Sequence, residues 1–360
     1  MKKIIKRLLF SIVIFIITYS SVEWAKKNND FIEIFYSGKL YPLISSNVSA
    51  IFSFSNISVG EIVLTIGLIG LIILFVRFFI KPSIHTIIDI LSGLFATAAI
   101  LYLAFWLMWG LNNFRLPLEE NIGYEVEKLT IQDLENTAIY LIERINELED
   151  QMVFDADNLP VYHGDIKEIL KNSSLYFDDF AENHSFLTTG RYSRPKPMVY
   201  SEIMSHLNYT GIYNPFTAEA NLNVRTPRHN IPFIAMHEIS HQRGIAGERE
   251  ANFIAFLASV ESGDYYFKYS GYVSALNYVI NAIYNENQDK YFKLVELFSI
   301  NLRAVYKSNA EYWQNYQTVV SDIGEINNDI FLKSTGQSEG TKSYGLVVDL
   351  IASYVKTKTV

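Results

Sequence analysis

Two histidines and a glutamate near the middle of the chain have the types and the spacing needed to bind a metal ion and use it. His237 and His241 lie four residues apart, and Glu238 directly follows the first histidine. Residues i and i+4 share one face of an α-helix, so both imidazoles can ligate one ion. The Glu238 carboxylate then lies beside that ion, where it can take a proton from a bound water. The pattern predicts metal-assisted hydrolysis.

The residues around this pattern favour a helix of the required length. H-E-x-x-H is typical of zinc metallopeptidases when it lies on a helix. Pro232 suits the first turn, where its missing N–H costs nothing, and Gly244 suits a sharp stop because glycine takes positive φ freely. The alternative interpretation is a core helix whose two histidines only bond to backbone carbonyls.

A catalytic zinc site needs a third protein ligand and an open fourth position. If a second helix begins near Gly247, Glu248 and Asn252 share one face. Glu248 can then ligate the metal while Asn252 orients a ligand histidine. Glu250 projects about 160° away from Asn252 and is the alternative ligand. Both glutamates also fit an ordinary helix start, where acidic side chains favour the dipole.

Residues that meet a substrate are predicted on both sides of the motif. The segment Gly211–Val224 is a candidate edge strand that offers unpaired backbone groups to an extended peptide. The alternative is a buried hairpin or a loop that does not contact a ligand. Pro215 would interrupt a hydrogen-bonded ladder and keep this strand at an edge. Tyr269 and Tyr272 are candidate donors to an oxyanion, although tyrosine is abundant here and more often packs in a core.

Hydrophobic residues make up 49% of the chain and concentrate in its first third. Three apolar stretches, Leu8–Ala25, Ile62–Ile80 and Leu91–Gly110, are long enough to cross a bilayer. Trp106 and Trp109 near the end of the third predict interfacial anchors. The first stretch is alternatively a signal peptide, but it lacks an obvious small-x-small cleavage site.

Basic residues predict the orientation of these spans. Residues 2–7 carry four basic side chains, and Arg77 and Lys81 lie between the second and third spans. Both regions are therefore expected in the cytoplasm, although Lys26, Lys27 and Lys39 on the other side weaken the asymmetry. An odd number of spans divides the chain into a membrane domain, residues 1–115, and an extracytoplasmic domain, residues 116–360.

Composition excludes several kinds of site. The chain has no cysteine, so thiolate zinc sites and catalytic thiols are excluded. Its net charge of −8 argues against nucleic acid as a partner. Helical periodicity beyond residue 116 predicts a mainly α fold, with a cap formed by Thr130 and Asp133. The predicted scaffold helices cover residues 130–151, 165–183, 272–284, 287–307, 310–327 and 344–356.

The chain resembles known families in its motifs. The string E-R-E-A-N-F-I-A-F-L, residues 248–257, is similar to the helix that supplies a glutamate ligand in gluzincin-type peptidases, including membrane CAAX-processing types. The whole chain resembles domain-of-unknown-function family 3810, a group of bacterial membrane proteins. The matching strings are W-G-L-N-N-F-R (109–115), G-I-Y-N-P-F-T-A-E-A-N (211–221), H-E-I-S-H-Q-R-G-I-A-G-E-R-E-A-N-F (237–253), Y-S-G-Y (269–272) and S-Y-G-L-V-V-D-L (343–350).

This resemblance implies a mainly α, zincin-like domain with a small edge strand or hairpin behind three membrane helices. It implies a zinc peptidase without indicating a substrate, and the gap between His241 and Glu248 is shorter than in most gluzincins. Two imidazoles and a carboxylate favour Zn²⁺ over calcium or magnesium. We therefore expect a membrane-anchored zinc metallopeptidase acting on peptides or proteins at the cell envelope. The alternative is a non-catalytic, zinc-stabilised binding or scaffold protein.

Overall fold

Helices dominate the chain, and its strands form one small sheet, as predicted. The structure is a computed structural model and describes residues 2–80, 82–123 and 129–359. The first part contains α1 (Lys2–Ala25), α2 (Asn29–Phe31), a π-helix (Ile32–Leu40), α3 (Tyr41–Phe52), α4 (Val59–Ile80), α5 (Ile84–Met108) and a 3₁₀ helix (Gly110–Phe114).

The second part of the chain carries the sheet and the remaining helices. Its elements are α6 (Leu118–Ile122), α7 (Ile131–Glu149), α8 (Ile166–Glu182), β1 (Lys196–Pro197), α9 (Ser201–His206), β2 (Gly211–Asn214), β3 (Glu219–Leu222), a 3₁₀ helix (Arg228–Asn230), α10 (Ile231–Gln242), α11 (Glu248–Val260), α12 (Tyr265–Glu286), α13 (Gln288–Glu296), α14 (Ile300–Gln314), α15 (Val319–Thr335), a 3₁₀ helix (Gly340–Val347) and α16 (Val348–Thr359).

Within the described residues, three helices are long and apolar enough to cross a membrane: α1, α4 and α5. They correspond to the three predicted spans. The helix α1 packs along α5, where the Phe15 ring stacks on Phe95. Most of α4 is exposed, as expected for a helix surrounded by lipid. Near one end of the bundle, Asp89 of α5 pairs with Arg7 at 2.9 Å and with Arg77 at 3.5 Å, which ties the three helices together.

The segment between α1 and α4 folds against the second part of the chain. The Ser49 hydroxyl of α3 donates to the Ser193 hydroxyl at 3.0 Å, and the Ser45 and Tyr192 hydroxyls share a hydrogen bond of 3.0 Å. The domain boundary after residue 115 stays a prediction. These contacts show that α3 forms part of the structure around the second half, which the sequence did not predict.

The metal-motif helix α10 lies in the centre of the second part. Every residue of α10 except His237 is buried, and α8, α11, α12 and β3 surround it. A helix that is apolar around most of its circumference is stable only in such a central position. Farther out, α7 begins at the predicted cap, where Thr130 and Asp133 each bond to the other's backbone N–H.

Two of the predicted scaffold helices are each divided between two helices of the structure, and α12 begins at Tyr265, seven residues before its predicted start. The predicted helix 287–307 is broken into α13 and α14, because the Ser299 hydroxyl accepts from a backbone N–H and starts a new helix. The predicted helix 310–327 merges the end of α14 with the start of α15. There the Thr318 hydroxyl caps α15 in the same way. Apolar periodicity continues through both breaks, so it does not mark them.

The sheet has the strand order β1–β3–β2, which places β2 at an edge. Strand β2 pairs antiparallel with β3, with Gly211 opposite Leu222 and Asn214 opposite Glu219. The predicted extended segment is therefore a hairpin with an edge strand. Pro215 lies in the connecting turn and not within the ladder, so it does not interrupt the pairing.

A buried carboxylate joins this sheet to a membrane helix. Glu219 is completely buried and accepts from the backbone N–H groups of Val59 at 3.2 Å and Gly60 at 2.9 Å. It also forms an ion pair with the buried ammonium of Lys196. A carboxylate at a helix N-terminus is stabilised by the helix dipole. The start of α4 is thus held by β3.

We expect Glu219→Ala to destabilise the protein by about 3–5 kcal/mol, because it leaves the Lys196 ammonium buried without its anion. Thermal unfolding of the full chain in detergent measures this loss. The control is Lys307→Ala, which breaks an exposed pair with Glu311 of 3.7 Å and should cost about 0–1 kcal/mol. Equal unfolding temperatures for the two variants would contradict the structural role of Glu219.

Candidate metal centre

A glycine turn brings two helices together at the metal motif. The helix α10 ends at Gln242, and Gly244 has a φ of +92°, as its predicted role as a helix stop requires. The N–H of Ile245 donates back to the Ser240 carbonyl at 3.1 Å and closes the turn. Because α11 then begins at Glu248, its first residue lies against the last turn of α10.

The structure brings His237, His241 and Glu248 together. The Nε2 atoms of the two histidines are 3.1 Å apart, and they lie 3.2 Å and 3.5 Å from Glu248 Oε2. Nitrogen and oxygen donors at about 2.0–2.1 Å around a tetrahedral zinc ion are separated by roughly 3.3–3.4 Å. The three donor atoms therefore have the spacing of three ligands of a tetrahedral zinc ion.

The hydrogen bonding around the cluster also suits a cation. The Nδ1 atom of His241 lies 2.7 Å from the Ile245 carbonyl, so this nitrogen carries a proton and Nε2 is the atom that a metal would bind. The Glu248 Oε2 atom is buried and faces the Nε2 atoms of the two histidines. Lone pairs directed at one point in a buried site repel each other unless a positive charge lies between them. The donor set fits zinc.

Glu238 lies beside the three donors without being one of them. It is buried, and a methyl group added at Gly211 of β2 would lie only 2.4 Å from its Oε1 atom. Burial raises the pKa of the Glu238 carboxyl to about 7, although the two histidines oppose this shift. A carboxylate with such a pKa exchanges protons readily near neutral pH.

The charged forms of His241 and Glu248 stabilise each other. Burial alone lowers the pKa of His241, but the Glu248 carboxylate outweighs burial and raises it to about 9. Burial alone raises the pKa of Glu248, but the two histidines outweigh it and hold that pKa well below its usual range. Without metal, the cluster therefore holds a proton that a cation would have to displace.

Two further residues with predicted roles, Glu250 and Asn252, lie on α11. The alternative ligand Glu250 does not join the cluster, because its carboxylate turns toward the Arg249 guanidinium at 3.2 Å. The predicted orienting residue Asn252 is buried, but its Nδ2 atom and the Nδ1 atom of His237 both lack partners among the described residues. The structure orients His241 through a backbone carbonyl of the glycine turn and not through Asn252, so the orienting role of Asn252 stays a prediction for His237.

The structure does not bring the two candidate oxyanion donors to the site. The Tyr269 hydroxyl donates to the Glu149 carboxylate at 3.3 Å, which holds it against α7. The Tyr272 ring packs edge-on against Phe256 at 5.9 Å between centroids. Both side chains belong to the main hydrophobic core, so neither is placed as an oxyanion donor.

Two residues that complete the site come from the N-terminal part of the chain. The Tyr41 hydroxyl donates to the Gln242 carbonyl at 2.9 Å, and the Trp109 indole N–H donates to the His241 carbonyl at 3.2 Å. Trp109 was expected to anchor the span in the interface, as was Trp106, but both are buried. Trp109 is the first residue of the W-G-L-N-N-F-R string that carries the family resemblance, so the sequence offers a signal for it. No sequence pattern indicates a role for Tyr41.

The geometry predicts that Glu248→Gln lowers zinc affinity by more than the roughly 10–100-fold loss typical of changes beyond the ligands themselves. An amide oxygen is a weaker, uncharged donor for zinc. Competition with a chromogenic chelator on purified full-length protein measures the affinity. The matched control, Glu250→Gln, should bind zinc as the wild type does. A larger loss of zinc affinity in Glu250→Gln than in Glu248→Gln would assign the third ligand position to Glu250.

Comparisons with known proteins identify a family without a known function. The family model described as "Protein of unknown function (DUF3810)" matches residues 36–352, which is most of the 360-residue chain. No curated protein matches the chain, and no solved structure matches it. The matched range includes α4, α5, the sheet and the complete metal centre. The chain therefore belongs to the DUF3810 family.

Proposed function

We propose that this chain is a membrane-anchored, zinc-dependent metallopeptidase that hydrolyses peptide bonds on the outer side of the cytoplasmic membrane. The observation that carries the proposal is the pairing of three converging donor atoms with a buried, non-ligating carboxylate beside them. A purely structural zinc site has no need of Glu238 and normally closes its fourth position with another ligand.

The residues have separate roles in this reaction. His237, His241 and Glu248 would hold zinc, which supplies a Lewis acid that polarises the scissile carbonyl and acidifies water. Glu238 accepts the proton of the attacking water and delivers it to the leaving amine. Burial of this carboxylate supports the role, because it raises the pKa of Glu238 toward neutrality and lets one group serve as base and then as acid.

The edge strand β2 supports a peptide as the substrate. Its residue Gly211 lies directly against Glu238, and its residue Ile212 is half exposed. A peptide that adds antiparallel to this edge would bond to the free backbone groups of β2 and pass beside the proton acceptor. Glycine at 211 leaves the room that the Glu238 side chain occupies.

Glu238→Gln should keep its zinc and lose hydrolysis by about 10²–10⁴-fold, because an amide cannot accept the proton. Gly211→Ala should also slow hydrolysis, since the added methyl group displaces the carboxylate, whereas Gly263→Ala meets no atom within 4 Å and serves as the control. Cleavage of a peptide library by purified full-length protein, with and without chelator, measures these effects. Full activity of Glu238→Gln excludes its role, and zinc-bound protein without chelator-sensitive cleavage supports the scaffold alternative.

The orientation of the spans is a further part of the proposal. Contacts of α3 with α10 support placing residues 26–58 and the chain after α5 on one side of the membrane, as crossings by both α4 and α5 imply. The basic residues Arg7 and Arg77 lie at the other end of the bundle, with Asp89. By the positive-inside rule that end is cytoplasmic. Lys81, which contributed to the sequence prediction, lies outside the described residues.

Single cysteines test this orientation, since the chain contains none. A membrane-impermeant maleimide should label Lys171→Cys, on the exposed side of α8, in intact cells. It should label His85→Cys, in the first turn of α5, only after the cells are permeabilised. If the maleimide labels His85→Cys in intact cells and Lys171→Cys only after permeabilisation, the metal centre lies in the cytoplasm.

A further inference from the structure

Helix α15 has an apolar stripe that faces away from the protein. Four of its residues recur every three or four positions, which places them along one line of the helix surface. Their exposed fractions are 74%, 50%, 58% and 60% for Val319, Ile323, Ile326 and Ile330, respectively. Large aliphatic side chains in such a row are costly to leave in water.

The opposite face of α15 is fixed against the protein, so the stripe cannot turn inward. Gly324 packs so closely on the backbone of the loop after α9 that an added Cβ atom would lie 2.2 Å from the Leu207 carbonyl oxygen. Leu332 and Thr335 on the same face are buried. The helix thus has one side for the protein and one apolar side with no partner among the described residues.

Two contacts place α15 level with the ends of the membrane helices. At its C-terminal end, the Phe331 ring meets Phe105 of α5 at 6.1 Å, and Phe105 lies about one turn before the end of that span. At its other end, α15 packs on α9, and Tyr200 just before α9 shares a hydrogen bond of 2.8 Å with Thr65 of α4. The helix runs between the ends of two spans.

The neighbouring surface continues the apolar stripe. Beside α4, Val199 and Ile203 are exposed by 70% and 54%. The acidic side chains Asp322 and Glu325 lie on the flank of α15 that lines a polar cavity of about 480 Å³. A helix with an apolar face, a polar flank and a position at the end of a span has the form of a helix that lies in the membrane interface.

We propose that α15 is an interfacial membrane helix, whose stripe of Val319, Ile323, Ile326 and Ile330 lies in the outer boundary of the bilayer beside α4 and α5. The partner of this surface is lipid, because the contacts through Phe331 and α9 hold α15 at the ends of the lipid-facing spans α5 and α4. The proposal does not depend on hydrolysis or on bound zinc.

The position of α15 has a consequence for the metal centre. Shortly after the helix ends, the Gln337 side chain accepts from the Glu248 N–H at 3.2 Å and donates to the Ala246 carbonyl at 3.2 Å. The segment that leaves the bilayer surface thus bonds to the start of the helix that carries the third ligand. Anchoring of α15 would hold the centre close to the membrane surface.

Depth measurements with single cysteines test the proposal in the intact chain. The variants Ile326→Cys and Ile330→Cys on the stripe are compared with Glu325→Cys, which is adjacent in sequence but about 100° around the helix. Each carries an environment-sensitive fluorophore in nanodiscs of phosphatidylethanolamine and phosphatidylglycerol. Ile73→Cys in α4 gives the lipid-exposed reference. Gel filtration and circular dichroism confirm that each labelled variant is folded.

Lipids carrying a nitroxide near the top of the acyl chain should quench the two stripe positions several-fold more strongly than position 325. Aqueous iodide should show the reverse order. Iodide quenching of the stripe equal to that at position 325 overturns the proposal. It is also overturned if neither quencher reaches the stripe, or if cross-linking pairs the stripe with a second copy, because protein then covers this face.

Discussion

The last carbonyl groups of α10 place the strongest constraint on this structure. The final turn of any helix leaves carbonyls without intrahelical donors, and α10 ends in a buried interior. Backbone N–H groups of the glycine turn bond to the Ser240 and His241 carbonyls. The Trp109 indole is a second donor at His241, and the Tyr41 hydroxyl is the donor at Gln242. Trp109 and Tyr41 both lie next to membrane helices, so the helix that carries the metal motif is completed by the membrane-associated part. The proposed catalytic site and the anchor therefore form one structural unit.

The same helix joins the metal cluster to the sheet. On one side, the glycine turn after α10 orients His241 and delivers Glu248 to it. On the other side, Glu238 is buried against Gly211 of the edge strand. The sheet is in turn bonded to the start of α4 through Glu219.

The fold was predictable wherever it depends on neighbours in sequence. The three spans follow from the length of the apolar stretches, and the start of α7 follows from the cap at Thr130. The break between α13 and α14 was missed, because apolar periodicity runs through Ser299 while its hydroxyl begins a new helix. The packing of α3 against the second part was also missed, since apolar pattern alone does not select which buried surface a short helix joins.

At the site, the sequence by itself determined that His237 and His241 share one helical face, because the spacing of four is a property of the helix. It also limited the third ligand to two glutamates in the first turn of the next helix. Only the tertiary structure decided that Glu248 faces the histidines, since this depends on how two helices meet across a turn. Trp109 lies 132 residues from the carbonyl that it caps, and Tyr41 lies 201 residues from its own. Contacts at such separations arise from packing of the whole chain, and local sequence carries no periodicity that encodes them.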